Sequence, residues 1–495
     1  MADVLLINAN TWNGTPPSYL PAGVLSIAAF VRGHGISVEI LDRNVNHEDP
    51  SDFFRKVQPK IIGISVLTGP VILDAIKLSK LAKSILKDVK IVWGGLHPTI
   101  FSSYVLAESY VDYIIKGEGE YAFFDLVNHI LSGVDSPEKI QNLGYREGNA
   151  VKLNPERSKC DFQKLPFPAW DLLKIQNLYK MKKFYSNSVV SLYTSRGCPW
   201  RCAFCYIQST NQRKFRALTA EQIVDQMEYF EYNWGIHGFQ FYDDEFDVSE
   251  ERVLEMCDIL IKKKKKYKFS HFSRIDHINL NRLLLEKEAG LNFIEFGIES
   301  GSDRILKFLQ KDTDSERIRY AFDVCKKAGV HAGALFMIGI PTEQSQEVDQ
   351  TVSILKEINP HQCIGTIYKP YPATPLYDYC IRNQLFTMPQ TLQEQGEVFG
   401  LGEFSMNMSH APMSKLKAVY NHFYLRNIFN EVKNCLVFGN FKLLSFYFYR
   451  RFLSSFTTLM KRQFMLIFSE NSIYIELRHV FIKNNRQAKE VHLVS

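Results

Sequence analysis

Val189-Val190-Ser191-Leu192-Tyr193-Thr194 runs without a break into Ser195-Arg196-Gly197-Cys198-Pro199-Trp200-Arg201-Cys202-Ala203-Phe204-Cys205-Tyr206. The first six residues read as a buried strand. The rest reads as a loop, because Gly197 and Pro199 oppose regular structure. A loop lets three thiols converge where a regular helix would not. Thiolates suit iron–sulfur clusters. A four-iron cluster normally takes four of them, so three within eight residues leave one iron open to a chelating small molecule. A zinc site usually takes four protein ligands, and the next cysteine, Cys257, lies 52 residues on in a predicted helix. Cys160, Cys257, Cys325, Cys363, Cys380 and Cys435 read most simply as small hydrophobes.

The strand is the first of a series. Gly238 to Tyr242, Phe269 to Phe272, Phe293 to Gly297, Ala334 to Ile338 and Cys363 to Tyr368 follow, separated by helical segments. Six strand–helix units are too few for a closed eight-fold barrel, so an open, partial (β/α)6 barrel is expected. Upstream, Val4 to Ile7, Val38 to Leu41, Ile61 to Val66, Ile91 to Trp93 and Tyr113 to Ile115 alternate with amphipathic stretches. That pattern predicts a doubly wound, Rossmann-like α/β domain with a parallel sheet. Such sheets bind ligands beyond the C-terminal strand ends, here the loops Asn8 to Tyr19, Leu67 to Pro70 and Gly94 to Thr99. Pro155, Pro166 and Pro168 favour extended chain. The expected organisation is therefore 1–140 Rossmann-like, 141–187 linker, 188–400 partial barrel and 401–495 helical, with helices at Leu416 to Val432 and Leu443 to Phe468.

Composition is that of a globular protein: 495 residues, 46% hydrophobic, 23% charged, formal net charge +6. The mild charge does not call for a nucleic-acid partner. Nine cysteines spread over this length argue against a disulfide scaffold and for a reducing compartment. No signal peptide is read at the N-terminus, and no uncharged apolar run reaches the roughly 18–20 residues of a spanning helix. A cytoplasmic protein is expected.

The Cys-x3-Cys-x2-Cys spacing, with Phe204 before the last cysteine, resembles the signature of radical S-adenosylmethionine enzymes. The resemblance continues through Phe239-Gln240-Phe241-Tyr242-Asp243-Asp244-Glu245-Phe246, Ser273-Arg274-Ile275-Asp276, Phe296-Gly297-Ile298-Glu299-Ser300-Gly301 and Phe336-Met337-Ile338-Gly339-Ile340-Pro341. It implies that Cys198, Cys202 and Cys205 hold a 4Fe-4S cluster. The amine and carboxylate of S-adenosylmethionine would chelate the fourth iron, and an external donor such as flavodoxin or ferredoxin would supply electrons. Reductive cleavage would then give a 5′-deoxyadenosyl radical. Phe204 would line the adenine pocket and Asp243, or its neighbour Asp244, would accept from the methionine ammonium. Arg274 would pair with the methionine carboxylate assisted by Ser273, Glu299 would accept from ribose or amine, and the Met337 strand end would contact adenine. Each has a plainer reading: Asp243 as a helix cap, Arg274 as an ion pair with Asp276. The turn after Met337, Gly339-Ile340-Pro341-Thr342-Glu343, departs from the family's frequent Gly-Pro-Gly-Glu-Thr.

The N-terminal segment resembles the cobalamin-binding domain that precedes some radical S-adenosylmethionine cores. The matching residues are Asn8-Ala9-Asn10 with Pro16-Pro17, Pro21-Ala22-Gly23, Gly33-His34-Gly35, Asp42, Gly94-Gly95-Leu96-His97-Pro98-Thr99 and Gly117-Glu118-Gly119-Glu120. No Asp-x-His-x-x-Gly segment is present, so the resemblance implies base-off cobalamin without a histidine ligand, with Leu67 or Thr68 near the lower face. Gly94 and Gly95 would admit the cofactor closely, and Ser65, Thr68 and Thr99 offer hydroxyls. His97 would either hydrogen-bond the cofactor tail or cap the following helix. Glu118 and Glu120 read equally as interface acids and as solvated loop acids.

Together these imply methylation of an unactivated carbon on a small-molecule or peptide substrate. Non-methylating ring formation or rearrangement is the alternative within the class, and a non-catalytic redox or light sensor is the alternative outside it. The aromatic and basic tail, Phe446 to Phe452 and Met460 to Phe464, reads as a cap over the barrel mouth, as a weak contact with the inner face of a membrane, or as a partner surface.

Overall fold

The first sheet begins with five parallel strands, β1 (Val4–Asn8), β2 (Val38–Asp42), β3 (Ile61–Ser65), β4 (Lys90–Gly94) and β5 (Tyr113–Ile115), in the order β2-β1-β3-β4-β5. This computed structural model describes residues 2–10, 19–133, 136–173, 175, 179–400 and 404–437. Alternate residues of β1 serve opposite faces, as the two-residue period of a strand requires. Leu5 and Ile7 pack with Phe54, Ile72 and Trp93, whereas Val4 and Leu6 pack with Val24, Ala28 and Phe123. Covered on both faces, such strands are apolar at nearly every position, and that is why they read as continuous runs. The winding reverses between β1 and β3, placing the ligand crevice at their C-terminal ends.

Residues 141–187, expected as an extended linker, instead contribute to both sheets. β6 (Leu143–Glu147) and β7 (Ala150–Leu153) extend the first sheet in antiparallel fashion. β8 (Met181–Lys183) forms the antiparallel edge of the second. These strands have three to five residues and are mostly polar or half-exposed, so they carry no apolar signature.

The second sheet contains β9 (Ser186–Leu192), β12 (Gly238–Phe241), β13 (Lys268–Ser273), β14 (Leu291–Glu299), β15 (His331–Ile338) and β16 (Gln362–Ile367), all parallel; the intervening β10 (Ser195–Arg196) and β11 (Arg216–Ala217) form a separate ribbon. The order β16-β15-β14-β13-β12-β9-β8 leaves the sheet open as a curled half-barrel. Its helices begin at short polar caps. Thr219, Ser249, Asn279, Ser302 and Asp314 each accept a hydrogen bond from a first-turn amide, worth about 1 kcal/mol apiece. The predicted helix from Leu416 lies within Met413–Val437, and Leu416 and Phe423 join the half-barrel core. The stretch Leu443 to Phe468 lies outside the described residues.

A further helix, Leu392–Gly400, returns to the first domain and lies on helix Val71–Ile85. Leu392 is part of that domain's core. A Cβ at Gly396 would come within 2.7 Å of Leu73 Cδ2, so glycine permits the close approach. Residues up to Asn427 pack as one unit.

Candidate active site

The cysteine loop leaves β9 through Thr194, where Asp243 receives it. Asp243 Oδ1 accepts from the amides of Thr194 (2.5 Å) and Ser195 (2.9 Å), and Oδ2 accepts from Thr194 Oγ1 at 2.6 Å. Asp244 Oδ2 accepts from the amide of Gly197 at 2.8 Å; Gly197 itself has φ +86°, a left-handed conformation suited to glycine. Further along, Ala203 N donates to Leu309 O at 2.8 Å, and Leu376 N to Ala203 O at 2.9 Å. The loop is thus sewn to the C-terminal ends of the half-barrel strands.

Cys198, Cys202 and Cys205 are all free thiols, Cys202 being buried. Burial pushes Cys198 up to about 12 and Cys205 up to about 11. Two cations stand by: Arg274 Nη1 is 3.7 Å from Cys202 Sγ, and Arg274 Nη2 donates to Lys311 O at 2.6 Å.

Several expected roles change. Both oxygens of Asp243 accept from the loop, and Ser249 rather than Asp243 caps the next helix. The Ser273 hydroxyl lies 2.6 Å from Asp247 Oδ2 and 3.1 Å from the carbonyl oxygen of Arg274. Arg274 does bind Asp276 (3.0 Å), as its plainer reading expected, yet it also lies over Trp200 at 4.2 Å and beside Cys202. Glu299 sits at φ +60° and accepts from Lys311 Nζ at 2.9 Å. A Cβ at Gly297 would fall 2.4 Å from Glu299 Oε1, so glycine there makes room for the pair. Phe204 and Met337 share an apolar cluster with Ile340 and Tyr368.

Among the described residues the one close trio of potential ligands is Glu245, Asp247 and His277. Burial and the neighbouring Asp247 charge push Glu245 well up. Asp247 is itself held well down, against burial, by Arg282 at 2.5 Å. Arg282 is shared between Asp247 and Glu286, so the carboxyls of this trio sit in a buried ion-pair network.

A cavity of about 610 Å3 runs from the first sheet to the cysteine loop. Ser65, Gly94, Gly95 and Thr99 line it from one side, and Tyr206, Tyr242 and Asp244 from the other. It extends between helices Ala22–Gly33 and Glu120–Ser132 past Leu6, Gly63 and Phe123. Here glycine keeps the space open. A Cβ at Gly63 would meet Leu6 Cδ2 at 2.8 Å and Phe123 Cε2 at 3.0 Å, and one at Gly119 would meet Ile27 Cδ1 at 2.7 Å. A Cβ at Gly95, where φ is +96°, would fall 3.0 Å from Val66 O. Leu67, Thr68 and His97 do not line the cavity. His97 is fully buried, with Nδ1 3.3 Å from Thr68 Oγ1, and burial lowers it to about 3. It braces Thr68 rather than reaching the cavity.

Residues 192–355 match the sequence model of the Radical SAM superfamily, and residues 16–127 match the B12 binding domain. Together the two matches cover more than half of the chain. It belongs to the radical SAM superfamily, with a B12-binding domain ahead of the core. This radical SAM enzyme is 29% identical over 413 residues to an uncharacterised methyltransferase of Pyrococcus horikoshii, covering 82% of this chain and 88% of the relative. It is 25% identical over 388 residues to the anaerobic magnesium-protoporphyrin IX monomethyl ester cyclase of Rubrivivax gelatinosus, covering 76% and 69%. In fold it matches the radical S-adenosylmethionine methyltransferase TsrM of Kitasatospora setae, solved with cobalamin and a [4Fe-4S] cluster, at TM-score 0.65 and 17% identity over 77% of this chain and 75% of that one. The two matches fit the cofactors that the sequence implied, S-adenosylmethionine for the core and cobalamin for the first domain. Among the described residues no helix is long and apolar enough to cross a membrane.

One residue escaped the sequence reading, and two others were left open by it. Lys311 is a buried lysine beside Glu299, and nothing in Leu309-Gln310-Lys311-Asp312 announces burial. Glu118 and Glu120 are interface acids that engage Arg196 and Arg216. Burial alone would raise Glu118, but Arg216 and Arg196 bring it down to about 2.

Proposed function

We propose that this enzyme transfers a methyl group to an unactivated carbon of a small-molecule or peptide substrate. The observation that carries the reading is the single cavity lined on one side by the first sheet's strand ends and on the other by residues flanking the cysteine loop. When bound, the cluster with S-adenosylmethionine supplies a radical able to take a hydrogen atom, and the corrin supplies the methyl group.

The chain's own residues hold these partners. Cys198, Cys202 and Cys205 ligate the cluster, and Arg274 beside Cys202 offsets its negative charge. Phe204 and Met337 form the apolar wall against adenine. Glu299, oriented by Lys311, accepts from the ribose or amine. Asp244, which lines the cavity, takes the ammonium role once expected of Asp243. Ser65, Gly94, Gly95 and Thr99 meet the corrin, and the Gly63–Gly119 slot takes its nucleotide tail. With His97 buried against Thr68 and outside the cavity, this position would offer the corrin no histidine ligand, in keeping with a base-off state. A cytoplasmic location with flavodoxin or ferredoxin as donor suits the free cysteines of the described residues. The basic, aromatic tail, including Phe446 to Phe452, would add weak contact with the inner membrane face on composition alone.

Similarity to the cyclase favours a second reading, ring formation without methylation. Anaerobic reconstitution with iron, sulfide and hydroxocobalamin, followed by product analysis, separates the two. Methyl transfer gives S-adenosylhomocysteine and 5′-deoxyadenosine together, and ring formation gives 5′-deoxyadenosine alone. Neither product, or loss of cobalamin binding, would sink the reading.

A further inference from the structure

β10 and β11 form a two-residue antiparallel ribbon, with Ser195 opposite Ala217 and Arg196 opposite Arg216. The ribbon closes the base of the loop that carries all three cysteines. Its cross-strand pair is two arginines, and like charges directly opposite each other destabilise a ribbon.

Compensation comes from the other domain. Arg216 forks onto Glu118, with Nη2 2.7 Å from Oε1 and Nη1 3.0 Å from Oε2. Arg196 Nη2 donates to Glu120 Oε1 at 2.6 Å, and its Nη1 lies 3.4 Å from Glu118 Oε1. Ser26 Oγ donates to Glu120 Oε1 at 2.6 Å, and Cys160 N donates to Glu118 Oε2 at 3.0 Å. Two carboxylates thus balance two guanidinium groups across the interface. Glu120 is 2% exposed, so water cannot substitute for either partner. Ser26, Glu118, Glu120 and Arg196 also line the cavity.

We infer that Glu118, Glu120, Arg196 and Arg216 form a positioning clamp through which the first domain holds the base of the cysteine loop closed and registers it against the cavity. Naming the two registered cofactors rests on the proposed function, but the clamp on the ribbon does not. Without Glu118, Arg196 and Arg216 face each other with one carboxylate between them. With Glu118 and Arg216 both neutral, Arg196 keeps Glu120 and the ribbon is balanced again.

The test compares Glu118→Gln, Arg216→Gln and the double variant, each checked for folding by circular dichroism. In the apo chain, amide hydrogen exchange across residues 195–217 is expected to quicken about tenfold in Glu118→Gln, and to slow again in the double variant. In reconstituted protein the rate of cluster loss to a chelator should follow the same order. Should Glu118→Gln fail to fold, Arg216→Lys carries the test, because it keeps the charge and loses the fork. Exchange and chelation within twofold of the parent in folded single variants would overturn the clamp. So would a double variant whose effects are the sum of the two singles. Failure of the parent to bind hydroxocobalamin would strike the proposed function while leaving the exchange result standing.

Discussion

Replacing Asp243 separates two roles that a strand-end carboxylate can play. In the structure it accepts three hydrogen bonds at 2.5–2.9 Å from Thr194 and Ser195 and is 5% exposed. Asp243→Ala orphans two buried amides and removes the countercharge near Arg252, which itself donates to Thr194 Oγ1 at 3.1 Å. At about 1–3 kcal/mol per orphaned buried donor, plus the unpaired charge, the loss is roughly 3–5 kcal/mol. Asp243→Asn keeps an acceptor for both amides but loses the charge assistance and the acceptor of the Thr194 hydroxyl, about 1–3 kcal/mol in all. The assay is denaturant unfolding of the apo chain with local hydrogen exchange over residues 194–206, alongside calorimetric binding of S-adenosylmethionine to the reconstituted Asn variant. The clamp role predicts graded loss of stability, Ala worse than Asn, with Asn retaining affinity for S-adenosylmethionine once the cluster is in place. An Ala variant within about 1 kcal/mol of the parent, combined with an Asn variant that has lost that affinity, would refute the reasoning and return Asp243 to the ligand.

Gly63→Ala should cost about 1–3 kcal/mol, because the new Cβ meets Leu6 and Phe123; it should also weaken hydroxocobalamin binding, and an unchanged titration would remove the slot from the corrin site. Burial raises Glu343 from 4.5 to about 7. The folded state therefore holds a proton that the unfolded chain has already released between those values, and stability should fall by roughly 3 kcal/mol as pH rises from 4.5 to 7. Glu343→Gln should flatten that slope in denaturation midpoints at pH 5 and pH 8, and parallel slopes would contradict the assignment. Lys311→Met leaves Glu299 buried without its cation and should cost roughly 3–5 kcal/mol, partly recovered by adding Glu299→Gln; equal stability of single and double variants would rule out the pair.

The six parallel strands of the half-barrel and the five of the first sheet were legible because burial on both faces imprints an apolar run. β8 left no such trace: it is three residues at an edge, with Met181 buried and Lys182 exposed. The three cysteines were legible from spacing alone, since a loop closed around a cluster needs its ligands near one another in sequence. Asp243 misled because a clamp and a ligand both demand a carboxylate at a strand end, and only the positions of Thr194 and Ser195 tell them apart. Lys311 was invisible because its burial depends on Glu299 and on the loop around Cys202, none of which is local. For the same reason Glu118 and Glu120 stayed ambiguous: their partners are 76 to 98 residues away in the chain.

Helix Leu392–Gly400 carries a consequence for the order in which the chain is made. Leu392 completes the apolar face of a domain whose own strands end by Leu153. During synthesis that face would emerge unfinished and wait for roughly 240 further residues, on the order of 12–50 s at 5–20 residues per second. A chain stopped after β16 would leave Ile72 and Leu73 without their cover, and the nascent first domain is where a holdase would be expected to bind. Rare codons placed just before Leu392 should lengthen that wait and lower soluble yield, whereas the same codons after Gly400 should not.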